Sequence, residues 1–253
     1  MIDVITKENG FSNPLNHGLE SPCPFPPFEN EPFFNKFAEI DEHRRNLPHW
    51  QQGHVWCFVT WRLADSLPKA KLVQWNMERN DWIKQHPQPW DDVVEAEYHE
   101  QFSNQIDLWL DQGSGSCLLR DPSHARIVAD ALRHFDGNRY IAGSFVVMPN
   151  HVHVLFSPLG AYSLSDIVKS WKGFTAHEIN KLRGCKGTLW QDEYWDRLVR
   201  NEKHFAKCEQ YIRDNPVKAR LPTGEFIWEN GFSNPVNHGL ESPCPCSEAQ
   251  RKF

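Results

Sequence analysis

Two histidines stand two residues apart in Met148-Pro149-Asn150-His151-Val152-His153-Val154-Leu155-Phe156. The run is apolar and β-branched, which predicts a strand, and alternate side chains of a strand leave the same face. A pair of imidazoles on one face is half of a metal site. The same pattern also fits two histidines satisfied inside the fold or by solvent, so it does not stand alone. About sixty residues further on, Tyr211 and Asn215 are four apart in Cys208-Glu209-Gln210-Tyr211-Ile212-Arg213-Asp214-Asn215-Pro216. In a helix they share a face, one turn from each other. A phenol and an amide oxygen could then meet the imidazoles at one cation, the phenol attacking a phosphodiester that the cation polarises. Taken by itself, Tyr211 equally suits a buried helix aromatic, and Asn215 a helix stop ahead of proline.

These residues need a strand and a helix to carry them, and the chain reads as mixed α and β. Trp56 to Leu63 is dense in aromatic and β-branched residues and predicts a strand. Helical stretches follow from Pro68 to about His86 and from Val94 to Leu110, the second ending before Asp111-Gln112-Gly113-Ser114-Gly115. Asp121-Pro122 has the cap-then-proline signature of another helix, with Ile127, Val128, Ala131 and Leu132 on its inner face. Strands are predicted over 139–147 and 151–156, separated by Pro149-Asn150. Ser163-Leu164-Ser165-Asp166 opens a helix to about Arg183, with Trp171 and Phe174 expected inside. Thr188 to Val199 reads as extended. Asn201 caps a last helix with its body over 205–214, ended by Asn215-Pro216.

Across 253 residues, 40% hydrophobic and 24% charged residues are ordinary for a globular chain, and no apolar run approaches a membrane span. The first thirty residues lack the basic-then-apolar pattern of a secretory leader. Seven scattered cysteines without a Cys-x-x-Cys pair predict reduced thiols and a cytoplasmic protein. The net charge of −6 is uneven: residues 169–220 hold twelve Lys and Arg against seven Asp and Glu, a local +5 in a remainder of −11. A basic module in an acidic chain suits phosphate binding, and a mixed-charge helical surface equally well. Residues 8–24 return as residues 229–245 with one difference, Leu15 against Val236. Both copies are rich in Asn, Pro, Gly and Ser, so residues 1–49 and 223–253 are expected to be poorly ordered tails.

Met148-Pro149-Asn150-His151-Val152-His153, taken with Tyr211-Ile212-Arg213-Asp214-Asn215-Pro216-Val217-Lys218-Ala219, resembles the REP-associated tyrosine transposases. These are single-tyrosine transposases of the HUH class, named for two histidines flanking a hydrophobic residue. The resemblance covers roughly residues 50–222, including Trp190 to Arg200, with a helical insertion over 68–136 that the compact form of the family lacks. It implies an α+β fold, an antiparallel sheet with helices packed on one face, like an RNA-recognition fold. It implies His151, His153 and Asn215 as ligands of Mg²⁺ or Mn²⁺, and Tyr211 as a nucleophile cleaving single-stranded or hairpin DNA through a 5′-phosphotyrosine. A monomer and a homodimer are both compatible with it, as is a former transposase that only binds repeats. Basic residues interleaved with aromatics are the usual equipment for such DNA. Lys169, Lys172 and Lys203 are candidates for contact, and Arg197 and Arg200 the preferred ones.

Overall fold

The computed structural model describes residues 32–44, 48–87, 90 and 92–229. A short hairpin, β1 (Asp41–Arg44) and β2 (Pro48–Gln51), precedes β3 (Cys57–Arg62). Then come α1 (Lys69–Gln85), α2 (Asp92–Tyr98), a single π-helical turn over His99–Ser103, and α3 (Asn104–Asp111). After α4 (Pro122–His134) the chain forms β4 (Tyr140–Val147), β5 (His151–Pro158), α5 (Leu164–Leu182), β6 (Trp195–Leu198), α6 (Glu202–Lys218) and β7 (Ile227–Glu229). The expected α+β architecture is the one observed: a five-stranded sheet of order β6-β3-β5-β4-β7, antiparallel throughout, with helices packed on it. Both expected tails carry strands where they are described, β1 and the start of β2 at one end and β7 at the other. Most of the two repeat copies lies outside the described residues.

Three helix starts follow from the local sequence. The side chains of Asp121, Ser163 and Asn201 accept hydrogen bonds from the backbone N–H of Ser123, Asp166 and His204, satisfying donors that each first turn leaves open. Pro122 follows the first of these caps, where a missing N–H costs nothing. The end of α6 differs from expectation. The helix runs through Pro216 to Lys218, because a proline this near the end removes only its bond to the Ile212 carbonyl. The N–H of Ala219 then closes on the Asn215 carbonyl and that of Leu221 on Pro216. Asn215 is therefore inside the helix and buried rather than stopping it.

β3 and β5 are buried along their whole length, which requires cover on both faces. On one face Val152, Val154 and Phe156 of β5 meet Val128, Ala129 and Leu132 of α4 and Ile167, Val168, Trp171 and Ile179 of α5. Polar atoms in this layer form a short chain: Trp171 Nε1 donates to the Tyr140 hydroxyl at 3.0 Å, which donates to the Leu132 carbonyl at 2.9 Å. Phe174, expected inside, is 55% exposed. It lies three residues beyond Trp171, on the side of α5 turned from the sheet.

The other face carries His151, His153 and Leu155 of β5, and by register Phe58, Thr60 and Arg62 of β3 and Arg197 of β6. Phe205, Cys208 and Ile212 are the buried apolar residues of α6, and Trp56 meets Phe205 edge-on with centroids 5.0 Å apart. The single-faced arrangement implied by the family resemblance is thus not the one observed: α4 and α5 take one face and α6 the other. The insertion helices α1 to α3 form a smaller cluster of Leu67, Trp75, Phe102, Ile106 and Leu110, against which Trp195 of β6 packs.

Leu132, 1% exposed in the main core, is the sensitive test of this packing. Leu132→Ala should cost about 2–5 kcal/mol, read as a lowered denaturant midpoint. Phe174→Ala should stay within about 0.5 kcal/mol of the parent. Equal losses from the two would contradict the layer assignment.

Candidate active site

The four residues singled out by spacing come together on the α6 side of the sheet. His151 and His153 leave the same face of β5 with ring centroids 4.6 Å apart and planes at 78°. Each ring is held through Nδ1. Asn150 Oδ1 lies 2.7 Å from Nδ1 of His151, and Thr60 Oγ1 lies 2.7 Å from Nδ1 of His153. An amide oxygen only accepts, so Asn150 requires the proton of His151 on Nδ1 and leaves a lone pair on Nε2. Through Nδ2 Asn150 also donates to the carbonyls of Leu110 (3.1 Å) and Ser114 (3.2 Å), tying the end of α3 to the turn before β5.

From α6, Asn215 Nδ2 lies 3.3 Å from His153 Nε2, and the Tyr211 ring stands edge-on to His153 with centroids 5.2 Å apart. Phe58 supports the same phenol, with centroids 5.7 Å apart. His151 Nε2, Asn215 Oδ1 and the Tyr211 hydroxyl are buried and make no hydrogen bond of ordinary length among the described residues. Three such atoms around a neutral imidazole pair leave donors for a partner of another kind. Nitrogen, nitrogen and amide oxygen suit a divalent cation, so the residues fit the metal that the resemblance implies. No group of three or more His, Cys, Asp and Glu among the described residues could hold a metal ion, so such a site would depend on the Asn215 amide.

Electrostatics keep the imidazoles neutral. Burial lowers His151 to about 3, opposed by the facing amide of Asn215. Burial, then His151 and Arg197, hold His153 well below its usual range. The Tyr211 hydroxyl is pushed well above an ordinary phenol, first by burial and then by Asp107 and Asp111, with Arg197 acting the other way. Asp107 faces that hydroxyl. Burial raises its own pKa, while Tyr211 and then Arg197 oppose the rise. Asp111, one turn on, is raised to about 6 by burial and by Asp107.

Sequence reasoning does not single out Asp107 and Asp111, nor the ring-holding Thr60 and Asn150. The carboxylates show as a four-residue spacing on one helix face, a signal too common to stand out. Arg62 also escapes it. This residue is 2% exposed, stands opposite His151 across the strand pair, and has its guanidinium 5.7 Å from the Trp195 ring. Burial lowers it to about 10.

The candidate DNA contacts separate into two groups. Arg197 of β6 lies over Phe58, 5.3 Å from the ring centre, and faces the site. Arg197 and Arg200 line a cleft of about 590 Å³ with Phe58, Trp75, Asp107 and Trp195, between the insertion helices and the β6 edge. Lys203 is exposed in the first turn of α6, two turns from Tyr211. Lys169 and Lys172 are on α5, across the sheet from the histidines. Lys169 is exposed, whereas Lys172 donates to the Asp192 carbonyl and lies 5.8 Å from the Tyr194 ring centre. No helix among the described residues is long and apolar enough to cross a membrane.

Comparison with known proteins meets this geometry. The profile of the family described as "Transposase IS200 like" matches residues 130–215, the segment that runs from α4 through both histidines to Asn215. A REP-associated tyrosine transposase of Escherichia coli (strain K12) is 31% identical over 96 residues, 38% of this chain and 52% of that protein. The chain thus spans about half the length of this curated relative. A solved structure of a REP-associated tyrosine transposase bound to a REP hairpin is 18% identical, with a TM-score of 0.37 over 70% of this chain and 73% of that one. Over residues 130–215, the segment that holds its histidine strand and the tyrosine helix, the chain is similar to the IS200-like transposases.

Proposed function

We propose that this protein is a metal-dependent single-strand DNA transposase or endonuclease that cleaves and rejoins repeated palindromic hairpin DNA through a 5′-phosphotyrosine on Tyr211. The observation that carries the reading is the approach of α6 to β5: one helix brings the phenol of Tyr211 beside His153 and the amide of Asn215 between the two imidazoles. The family match and the name of the Escherichia coli relative support it. Action on DNA places the protein in the cytoplasm. Tyrosine and histidines come from one chain, so a monomer holds a complete set; a homodimer is not needed for it.

In this mechanism the Tyr211 oxygen attacks the phosphorus of a DNA phosphodiester, the P–O3′ bond breaks, and the departing 3′-oxygen takes a proton from water to leave a 3′-hydroxyl. The phenol proton passes to the Asp107 carboxylate that faces it. Mg²⁺ or Mn²⁺ held by Nε2 of His151, Nε2 of His153 and Oδ1 of Asn215 would supply Lewis-acid polarisation of the phosphodiester, with imidazole favouring Mn²⁺ slightly. Attack by a 3′-hydroxyl on the phosphotyrosine releases the phenol and joins strands, with the bond energy conserved and no ATP consumed. Arg197 and Arg200 hold phosphates of an unpaired strand whose bases lie on the aromatic wall of the cleft, and Lys203 extends the basic track along α6. Lys169 and Lys172 reach DNA only where it wraps past the opposite face of the sheet.

Tyr211→Phe should abolish nicking of a single-stranded hairpin substrate in Mn²⁺ and leave hairpin affinity within about twofold in a gel-shift titration. Cleavage at the parent rate would remove the nucleophile. Hairpin binding by the parent chain without any nicking would favour the alternative, a former transposase that only binds repeats.

A second expectation concerns pH in the presence of chelator. His99 and His151 are lowered to about 3 and His204 to about 4, each chiefly by burial. Unfolded imidazoles take up protons below about 6.5 while these stay neutral in the folded chain, so the unfolded state binds more protons there. The raised carboxyls of Asp107 and Asp111 act the other way, since the folded chain binds their protons first. Three imidazoles outnumber two carboxyls, so stability should still fall as pH drops from about 6.5 toward 4 and stay level on this account above 6.5. Fully buried His151 alone would contribute up to about 1.4 kcal/mol per pH unit. Urea midpoints at pH 7 and pH 5 measure this, and equal midpoints would contradict it.

A further inference from the structure

A second cavity, of about 250 Å³, is lined by Asp111, Asn150 and His151 with Arg120, Arg220 and Glu225. Two of the lining residues each carry a buried polar atom, His151 Nε2 and Asp111 Oδ1, with no hydrogen-bond partner among the described residues. The elements that carry them are tied together. Asn150 grips the His151 ring through Oδ1 at 2.7 Å and the Leu110 carbonyl, one residue before Asp111, through Nδ2 at 3.1 Å. Of the other charged groups on the wall, Arg120 and Glu225 are committed to each other at 2.8 Å.

We infer that Asp111, carried by the helical insertion, is an outer-sphere partner of the cation proposed at His151, His153 and Asn215, its carboxylate accepting a hydrogen bond from water in the ion's coordination shell. The inference rests on the metal reading above. Asp111 is not a direct ligand, since no three acidic or imidazole groups among the described residues converge on one ion. Hard divalent cations keep several waters when protein donors are few, and three donors leave about half of an octahedral shell to water. Those waters need acceptors, and the cavity has room for several at roughly 30 Å³ each. A carboxylate placed there also adds negative charge beside a set of otherwise neutral donors. Asp111 precedes the matched segment, residues 130–215, so this support belongs to the insertion and not to the part shared with the family. Asp111 is a positioning residue for the ion's water and does not touch the reacting atoms.

The test is binding of Mn²⁺ alone to the full chain, followed by the electron paramagnetic resonance signal of the free ion, with no DNA present. Asp111→Asn should weaken Mn²⁺ binding by about tenfold to a hundredfold, the usual effect of removing such a partner. Asp111→Glu should restore most of the affinity, and all variants should melt with the parent in chelator. Parent-like Mn²⁺ affinity for Asp111→Asn, with His151→Ala losing binding, would overturn the inference and leave the metal site standing. Parent-like affinity for His151→Ala as well would remove the metal site and the inference together. A loss in Asp111→Asn that Asp111→Glu does not repair, with a lower melting temperature in chelator, would mark a packing role and also overturn it.

Discussion

Two neutral imidazoles, each pinned through Nδ1 and buried on one face of a central strand, are the constraint on which the site depends. A buried imidazolium would have to be desolvated, and the surroundings of His151 and His153 hold both rings well toward the neutral form. Asn150 then decides which nitrogen of His151 is left with a lone pair, and Thr60 holds His153 in place. The direction of the His151 lone pair is fixed before any ligand arrives, and both rings are held, so little reorganisation is left for binding.

That constraint propagates outward. The histidine face cannot be left open to water, and α6 covers it with Phe205, Cys208 and Ile212 while setting Tyr211 and Asn215 into the same layer. Apolar cover and polar donors alternate along one helix because residues four apart share a face. Continuing the helix through Pro216 is what keeps Asn215 aimed inward. The opposite face, sealed by α4 and α5, has no such demands and is packed with aliphatic and aromatic side chains, among them the Trp171 and Tyr140 pair.

The insertion helices change the character of the site. They bring Asp107 and Asp111 against Tyr211, where both carboxylates disfavour the phenolate and Asp107 disfavours the charge of Asp111, while the phenol favours the charge of Asp107. Arg197, reaching over Phe58 from the sheet edge, is the opposing charge. On the proposed mechanism, a phenol so strongly held in its neutral form needs a destination for its proton and a polarised phosphate before it can attack. Acidic groups, arginine and imidazoles are therefore parts of one balance, drawn from α3, β6 and β5.

Sequence alone determined the local features. Asp121, Ser163 and Asn201 mark helix starts because capping is decided within a few residues, and the alternation through His151 to Phe156 marks a strand because its period is two. The four-residue step from Tyr211 to Asn215 places both on one helix face for the same kind of reason. Phe174 is misplaced by such reasoning because helical periodicity does not say which side of α5 meets the sheet. What only the tertiary structure decided is which elements face each other: α6 on the histidine face and α4 with α5 behind it, Thr60 and Arg197 beside His153, and Asp107 and Asp111 beside Tyr211. These contacts join residues far apart in the chain, set by strand register and by how the insertion folds back. Such partners leave no periodic trace in sequence, because a Thr in a strand or two Asp on a helix read the same wherever they end up.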